Sequence, residues 1–182
     1  MHPRPTIEAF DQYLASRELR FDAVVIGGSA LALLGIVSRP TRDFDVLAPK
    51  LPSEIADAAR EFAQQQRRLG VDLFDDWFNN GPIQLGAALP SGWRERVQPA
   101  FAGRALVLTT LGRADLLKTK LFALCERGSD LADCVAMDQP TRRTEELAQA
   151  LPWLSYQDAH PGWVAHVTAT VADLQRRLGH GV

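Results

Sequence analysis

Two aspartates one residue apart, Asp43-Phe44-Asp45, follow a Gly27-Gly28-Ser29 turn within residues 24–47. On a strand, side chains alternate between faces, so Asp43 and Asp45 share one face and Phe44 and Val46 take the other. Two carboxylates side by side disfavour each other's ionisation, and a hard divalent cation such as Mg²⁺ or Mn²⁺ relieves that repulsion. Glycine lets backbone N–H groups approach a ligand, and the opening turn of a helix presents N–H groups with no partner inside the helix. A hydroxyl there, Ser29, is suited to a phosphate oxygen. Together the two halves point to phosphate chemistry assisted by a metal. Taken alone, Gly27-Gly28 equally fits a tight strand-to-helix turn with Ser29 as N-cap, and the aspartates fit acids on an edge strand.

The surrounding pattern supplies elements to position these residues. Residues 21–26 form a β-branched run ending at the two glycines, which predicts a buried strand. An apolar helix over 30–37 and a turn at Arg39-Pro40-Thr41 follow, because the residue before proline is pushed out of the helical region. Residues 43–47 form the second strand. Before this unit, Ile7, Phe10 and Leu14 mark an amphipathic helix from an N-cap at Thr6 to about residue 16. After it, Ser53 opens a long helix ending near Leu69, with Glu54 in its first turn and Gly70 as its stop. Residues 71–90 are the least readable. A strand over 71–74, a helical turn from 75 and a strand over 83–89 all fit. Residues 105–108 read as a strand. The helices expected beyond it span 113–126, 130–137, 144–154 and 164–178. Strands alternating with helices predict an α/β (α+β) fold: a small mixed sheet flanked by helices over 1–112 and a helical region over 113–182 packed on it.

The totals narrow the function classes. The chain has 182 residues and a formal net charge of −2, so it has no global basic bias toward nucleic acid. The arginine pairs 67/68, 94/96, 142/143 and 176/177 fit solvated helix ends and turns. Cys125 and Cys134, nine positions apart, have neither disulfide-framework nor zinc spacing, which fits a reducing, cytoplasmic setting. The first residues lack the apolar segment of a signal peptide, and no apolar run is long enough for a membrane span. His2, His160, His166 and His180 have no metal-ligand spacing. The four tryptophans fit packing rather than base stacking.

On a helix from residue 113, successive residues rotate by about 100°. With Leu117 at zero, Leu121 and Leu124 fall near about 40° and −20°, and Lys120 and Arg127 near about −60° and −80°. Lys120 and Arg127 therefore share an edge of the packed face, where both can look into a cleft. Lys118, near about 100°, lies on the other side and is expected in solvent.

Gly-Gly-Ser at the end of one strand and Asp-hydrophobic-Asp on the next resemble the DNA polymerase β-like nucleotidyltransferase superfamily, in particular its small prokaryotic AbiEii/MenT-like branch. Residues 115–133, with Lys120 followed by Asp130 and Asp133, resemble that branch's lysine helix and acidic pair. The resemblance implies transfer of a nucleoside monophosphate from an NTP to a hydroxyl. The metal would sit on Asp43 and Asp45, and the phosphates on Gly27, Gly28, Ser29 and Lys120. Arg42 or Arg127 would assist, and Asp130 or Asp133 would orient Lys120 or Arg127. Such sites carry a third acid on a later strand. Asp72 in Val-Asp-Leu-Phe fits that pattern, but Asp75 and Asp76 are close, and if the strand is instead 83–89, which has no acid, the site has only two carboxylates. The acceptor left open is an RNA end such as tRNA, a protein or a small molecule. The resemblance also allows a toxin–antitoxin or defence role with a cognate partner protein, and the ambiguous third carboxylate keeps open a non-catalytic nucleotide- or partner-binding protein on the same fold.

Overall fold

The computed structural model describes residues 1–179. The chain divides into two compact units, one spanning Met1–Gly112 and the other starting at Arg113.

The first unit is built on a five-stranded mixed sheet flanked by helices. Helix α1 spans Pro3–Ser16, starting three residues before the expected cap, because Pro3 and Pro5 fall in the first turn, where a missing N–H costs nothing. Strand β1 is Phe21–Ile26, α2 is Gly27–Leu33, β2 is Phe44–Ala48 and α3 is Ser53–Arg68. Strand β3 has only two residues, Phe78–Asn79, and the short α4 covers Leu85–Ala88. Strands β4, Gln98–Ala102, and β5, Leu106–Thr110, complete the order β3-β2-β1-β5-β4. Strand β1 runs antiparallel to β2 and parallel to β5, while β2 and β3 are parallel.

Alternation explains the core. Phe44 and Val46 of β2 are buried, whereas Asp45 on the opposite face is half-buried. Helix α3 adds Ile55, Ala58, Ala59, Phe62 and Ala63 on one stripe. An aromatic cluster ties the layers together. Phe10 meets Trp77 edge-on at 5.0 Å, Phe44 meets Trp77 at 5.8 Å, and the Trp77 indole N–H donates to the Ala59 carbonyl at 3.0 Å. Each such ring pair contributes about 0.5–1.5 kcal/mol beyond its buried area.

Residues 71–74 do not form a strand. Only Leu73 of the four is buried, and Arg67 donates to the Leu73 carbonyl and pairs with Asp75, holding an extended loop outside the sheet. Residues 83–89 are turn and α4 rather than strand, since backbone bonds from Ile83 to Asn80 and from Leu89 to Leu85 curl the chain. The apolar helix expected over 30–37 starts earlier and stops sooner, because Gly35 has a positive φ of 73°.

The second unit is helical: α5 Arg113–Arg127, α6 Leu131–Ala136, α7 Arg143–Ser155 and α8 Trp163–Gly179. Arg113 fastens it, making paired bonds of 2.9 Å to both oxygens of the buried Glu146 and another to the Met137 carbonyl. The Trp163 indole donates to Leu154, and the His166 Nε2–H donates to the Cys125 carbonyl at 2.7 Å.

Candidate functional site

Register brings the sequence's first chemical candidates together. Asp45 lies opposite Ile26 in β1 and opposite Asn79 in β3. Ile26 immediately precedes Gly27, so the glycine turn leaves β1 beside the Asp45 carboxylate. A Cβ on Gly27 would stand 2.8 Å from Asp45 Oδ2, and Gly27 has a φ of 80°. Only glycine meets both demands without cost. Gly81 flanks the other oxygen, since its Cβ would lie 3.9 Å from Asp45 Oδ1. Two glycines therefore leave room around one carboxylate.

Asp43 immediately precedes β2 and is half-buried. Burial pushes its carboxyl above the ordinary carboxylate range, the Arg42 charge opposes that rise, and the Asp76 carboxylate adds to it. Asp72, the expected third acid, is exposed in the loop described above. On β3 the residue facing Asp45 is an amide. Asn79 Oδ1 accepts from Gly81 N–H at 2.6 Å, and Asn79 Nδ2 donates to the Asp76 carbonyl at 3.0 Å.

Arg42 stacks on Phe74, its guanidinium carbon 4.9 Å from the ring centroid. Sequence reasoning passed over Arg39, whose Nη2 lies 3.3 Å from where a Gly28 Cβ would be. Its place before Pro40 in the turn was the signal available. Ser29 is buried and does not cap α2; as the third residue of the helix it turns back and its hydroxyl donates to the Ile26 carbonyl at 3.3 Å.

In the second unit, Lys120 is buried and its ammonium lies 3.0 Å from Asp130 and 2.7 Å from Asp133. Asp130 caps α6 in a left-handed conformation, φ 68°, which aims the acidic pair back at α5. Arg127 is exposed and pairs with Glu126 at 3.1 Å and with Asp130 at 3.7 Å. The shared edge expected for Lys120 and Arg127 therefore divides: the lysine lies inside, the arginine outside. Lys118 is not the solvent-exposed residue expected, because the buried Asp115 draws its ammonium to 3.5 Å. The thiols of Cys125 and Cys134 are pushed up to about 11 and about 12 by burial, so they are not nucleophiles at neutral pH. Trp77, Trp93 and Trp163 are buried packing residues. His180 lies outside the described residues.

Asp43 and Asp45 are the first unit's candidate carboxylates for a divalent cation. Mg²⁺ is ordinarily held by one or two protein carboxylates plus substrate phosphates rather than by a full protein cage. Asp43 and Asp45 would supply two, and the disfavoured ionisation of Asp43, caused first by burial, is what a cation would reverse. No cluster of three or more His, Cys, Asp or Glu side chains suited to a metal occurs among the described residues. No helix among them is long and apolar enough to cross a membrane.

Residues 6–139 match a family model described as a nucleotidyltransferase of unknown function, DUF6036. No curated protein and no solved structure matches the chain.

Proposed function

This chain belongs to the DUF6036 family of nucleotidyltransferases, and on that premise we propose that it moves a nucleoside monophosphate from an NTP to a hydroxyl acceptor with Mg²⁺ or Mn²⁺ bound at Asp43 and Asp45. The observation that carries this reading is the seating of the Asp45 carboxylate directly against the Gly27-Gly28 turn. Acid and turn address the two parts of a metal–triphosphate: the cation and the phosphate oxygens. When bound, the metal supplies charge neutralisation on the phosphates and aligns the displacement.

The chain's own residues do the rest. Gly27 and Gly28 present backbone to the phosphates, and Gly27 gives Asp45 its room. Ser29 supports the turn through its bond to Ile26. Asp72 stands in the exposed loop, so the reading rests on Asp43 and Asp45 as its two carboxylates. Arg42 tempers the charge of the acidic group. Lys120, neutralised by Asp130 and Asp133, keeps α5 and α6 in place in this reading, and Arg127 braces Asp130 from outside. The acceptor we propose is an RNA end such as tRNA or a protein side chain. The likeness to the AbiEii/MenT-like branch favours a toxin–antitoxin or defence setting with a cognate partner protein, in the cytoplasm.

A second reading has one observation in its favour. The β3 residue facing Asp45 is the amide Asn79, not an acid, which suits a protein that binds nucleotide without transferring it. One assay separates the two. The protein is incubated with each labelled NTP, Mg²⁺ or Mn²⁺, and total RNA or its own polypeptide. Label transfer by wild type that is lost in Asp45→Asn is the expected result. NTP binding without transfer favours the second reading, and the absence of any Mg-NTP effect on thermal stability overturns both.

A further inference from the structure

We propose that Arg39, with Thr41 beside it, is the anion-reading side of the Gly27-Gly28 turn and takes the terminal phosphates of the nucleotide, an inference that rests on the nucleotidyl-transfer reading above. Its guanidinium lies on the glycine backbone, with Nη2 3.3 Å and Nη1 3.7 Å from the point a Gly28 Cβ would occupy. The neighbouring glycine carries the Asp45 carboxylate at 2.8 Å from the equivalent point. One two-residue turn is therefore faced by an acid on one glycine and a planar cation on the next. That is the charge pattern a metal-bound triphosphate requires, and a guanidinium fork matches phosphate oxygens bidentately.

Thr41 supplies an independent observation. It is 8 % exposed, its methyl lies 3.2 Å from the same Gly28 point, and its buried hydroxyl has no hydrogen-bond partner among the described residues. The Thr41 methyl is the atom that faces Gly28, so the side chain packs on the turn while its hydroxyl, costly to bury without a partner, keeps an unused hydrogen-bonding capacity next to it. The segment is also held in place. Thr41 N–H donates to the Met1 carbonyl at 3.0 Å, and the Met1 amine donates back to the Thr41 carbonyl at 2.9 Å. Arg39 is exposed but has an interaction within the protein. Arg42, by contrast, is stacked on Phe74, so the two arginines of the loop have separate tasks.

The test is calorimetric titration of the full chain with Mg²⁺-tripolyphosphate and with each of the four common NTPs in Mg²⁺. Circular dichroism melts accompany every variant. Wild type binds, and Arg39→Gln weakens binding by about 10–100-fold, the loss expected for hydrogen bonds from a charged group. Arg39→Lys keeps the charge but not the fork and falls between the two. Thr41→Val weakens binding by about 3–10-fold while melting no lower than wild type, a result that a purely structural role would not give. Arg176→Gln, on the exposed face of α8, leaves affinity unchanged. If wild type binds and Arg39→Gln and Arg39→Lys bind as tightly, the inference falls while the nucleotidyl-transfer reading stands. If wild type binds neither tripolyphosphate nor any NTP, both fall.

Discussion

Replacing Gly27 with alanine tests the link between turn and acid, because the protein contains its own control. Gly27 and Gly35 both have left-handed backbone, φ 80° and 73°. A Cβ at Gly35 meets nothing within 4 Å, whereas at Gly27 it stands 2.8 Å from Asp45 Oδ2. The backbone cost is common to both, about 1–2 kcal/mol for an L residue in that region. Each variant should therefore melt about 3–10 °C lower than wild type, for a domain of this size. Only Gly27→Ala must also push the Asp45 carboxylate away, by a few tenths of an ångström on the order of what a normal contact requires. Since a misplacement of about 1 Å costs about a hundredfold in a catalytic geometry, Gly27→Ala should lose about tenfold in Mg-NTP affinity and in label transfer. Gly35→Ala should lose neither. Thermal melts, Mg-NTP titration and the transfer assay on the pair decide it. Equal losses in the two variants, or no functional loss in Gly27→Ala, would refute the claim that the turn and Asp45 form one site.

Other expectations concern charge. The buried Asp11 accepts N–H bonds from Arg104, Ala105 and Leu106 at 2.8–3.0 Å, so Asp11→Ala should cost about 2–4 kcal/mol in urea unfolding. Burial raises the Asp11 carboxyl, but the three backbone donors outweigh it and leave the group below its ordinary value. Its contribution is therefore present above the unfolded-state pKa and lost as pH falls through the folded-state one; Asp11→Asn should flatten that acid limb of the stability curve. Asp43 has the opposite sign. Its folded-state pKa is raised by burial, so the stability it confers is present in acid and lost as pH rises through that value. Asp43→Asn should melt higher than wild type at neutral pH, converge with it in acid, and lose any stabilisation by Mg-NTP; a lower melt at neutral pH would count against the assignment. Lys120→Met strands two carboxylates and should destabilise by about 3–5 kcal/mol, with most of the loss recovered when Asp130→Asn and Asp133→Asn are added. Failure of that recovery would show that packing, not charge, explains Lys120.

What the sequence conveyed, and what it withheld, follows from how local each signal is. Strands β1 and β2 were legible because β-branched and alternating residues encode them directly, although β2 starts at Phe44 and leaves Asp43 just before it. The two-residue β3 was not, because it exists only through pairing with Phe44 and Asp45. Val-Asp-Leu-Phe at 71–74 has the better strand pattern, yet no neighbouring strand takes it up. Strand β4 was hidden by Pro99, which a strand tolerates only at an edge. The helical wheel placed Lys120 beside the packed face correctly but could not distinguish a cleft from an interior. That depended on Asp130 adopting a left-handed backbone and turning the acidic pair inward. Arg39 went unnoticed because its significance is its distance from Gly28, which no spacing encodes.

The two outer strands also bear on how this protein can meet others. One border of the sheet, β3, is two residues long, and the other, β4, contains Pro99, which has no N–H to offer. A two-residue border offers few groups to a foreign strand, and at the other border Pro99 interrupts the row of donors. Both borders are thus poor templates for further strands, which works against fibrillar self-association.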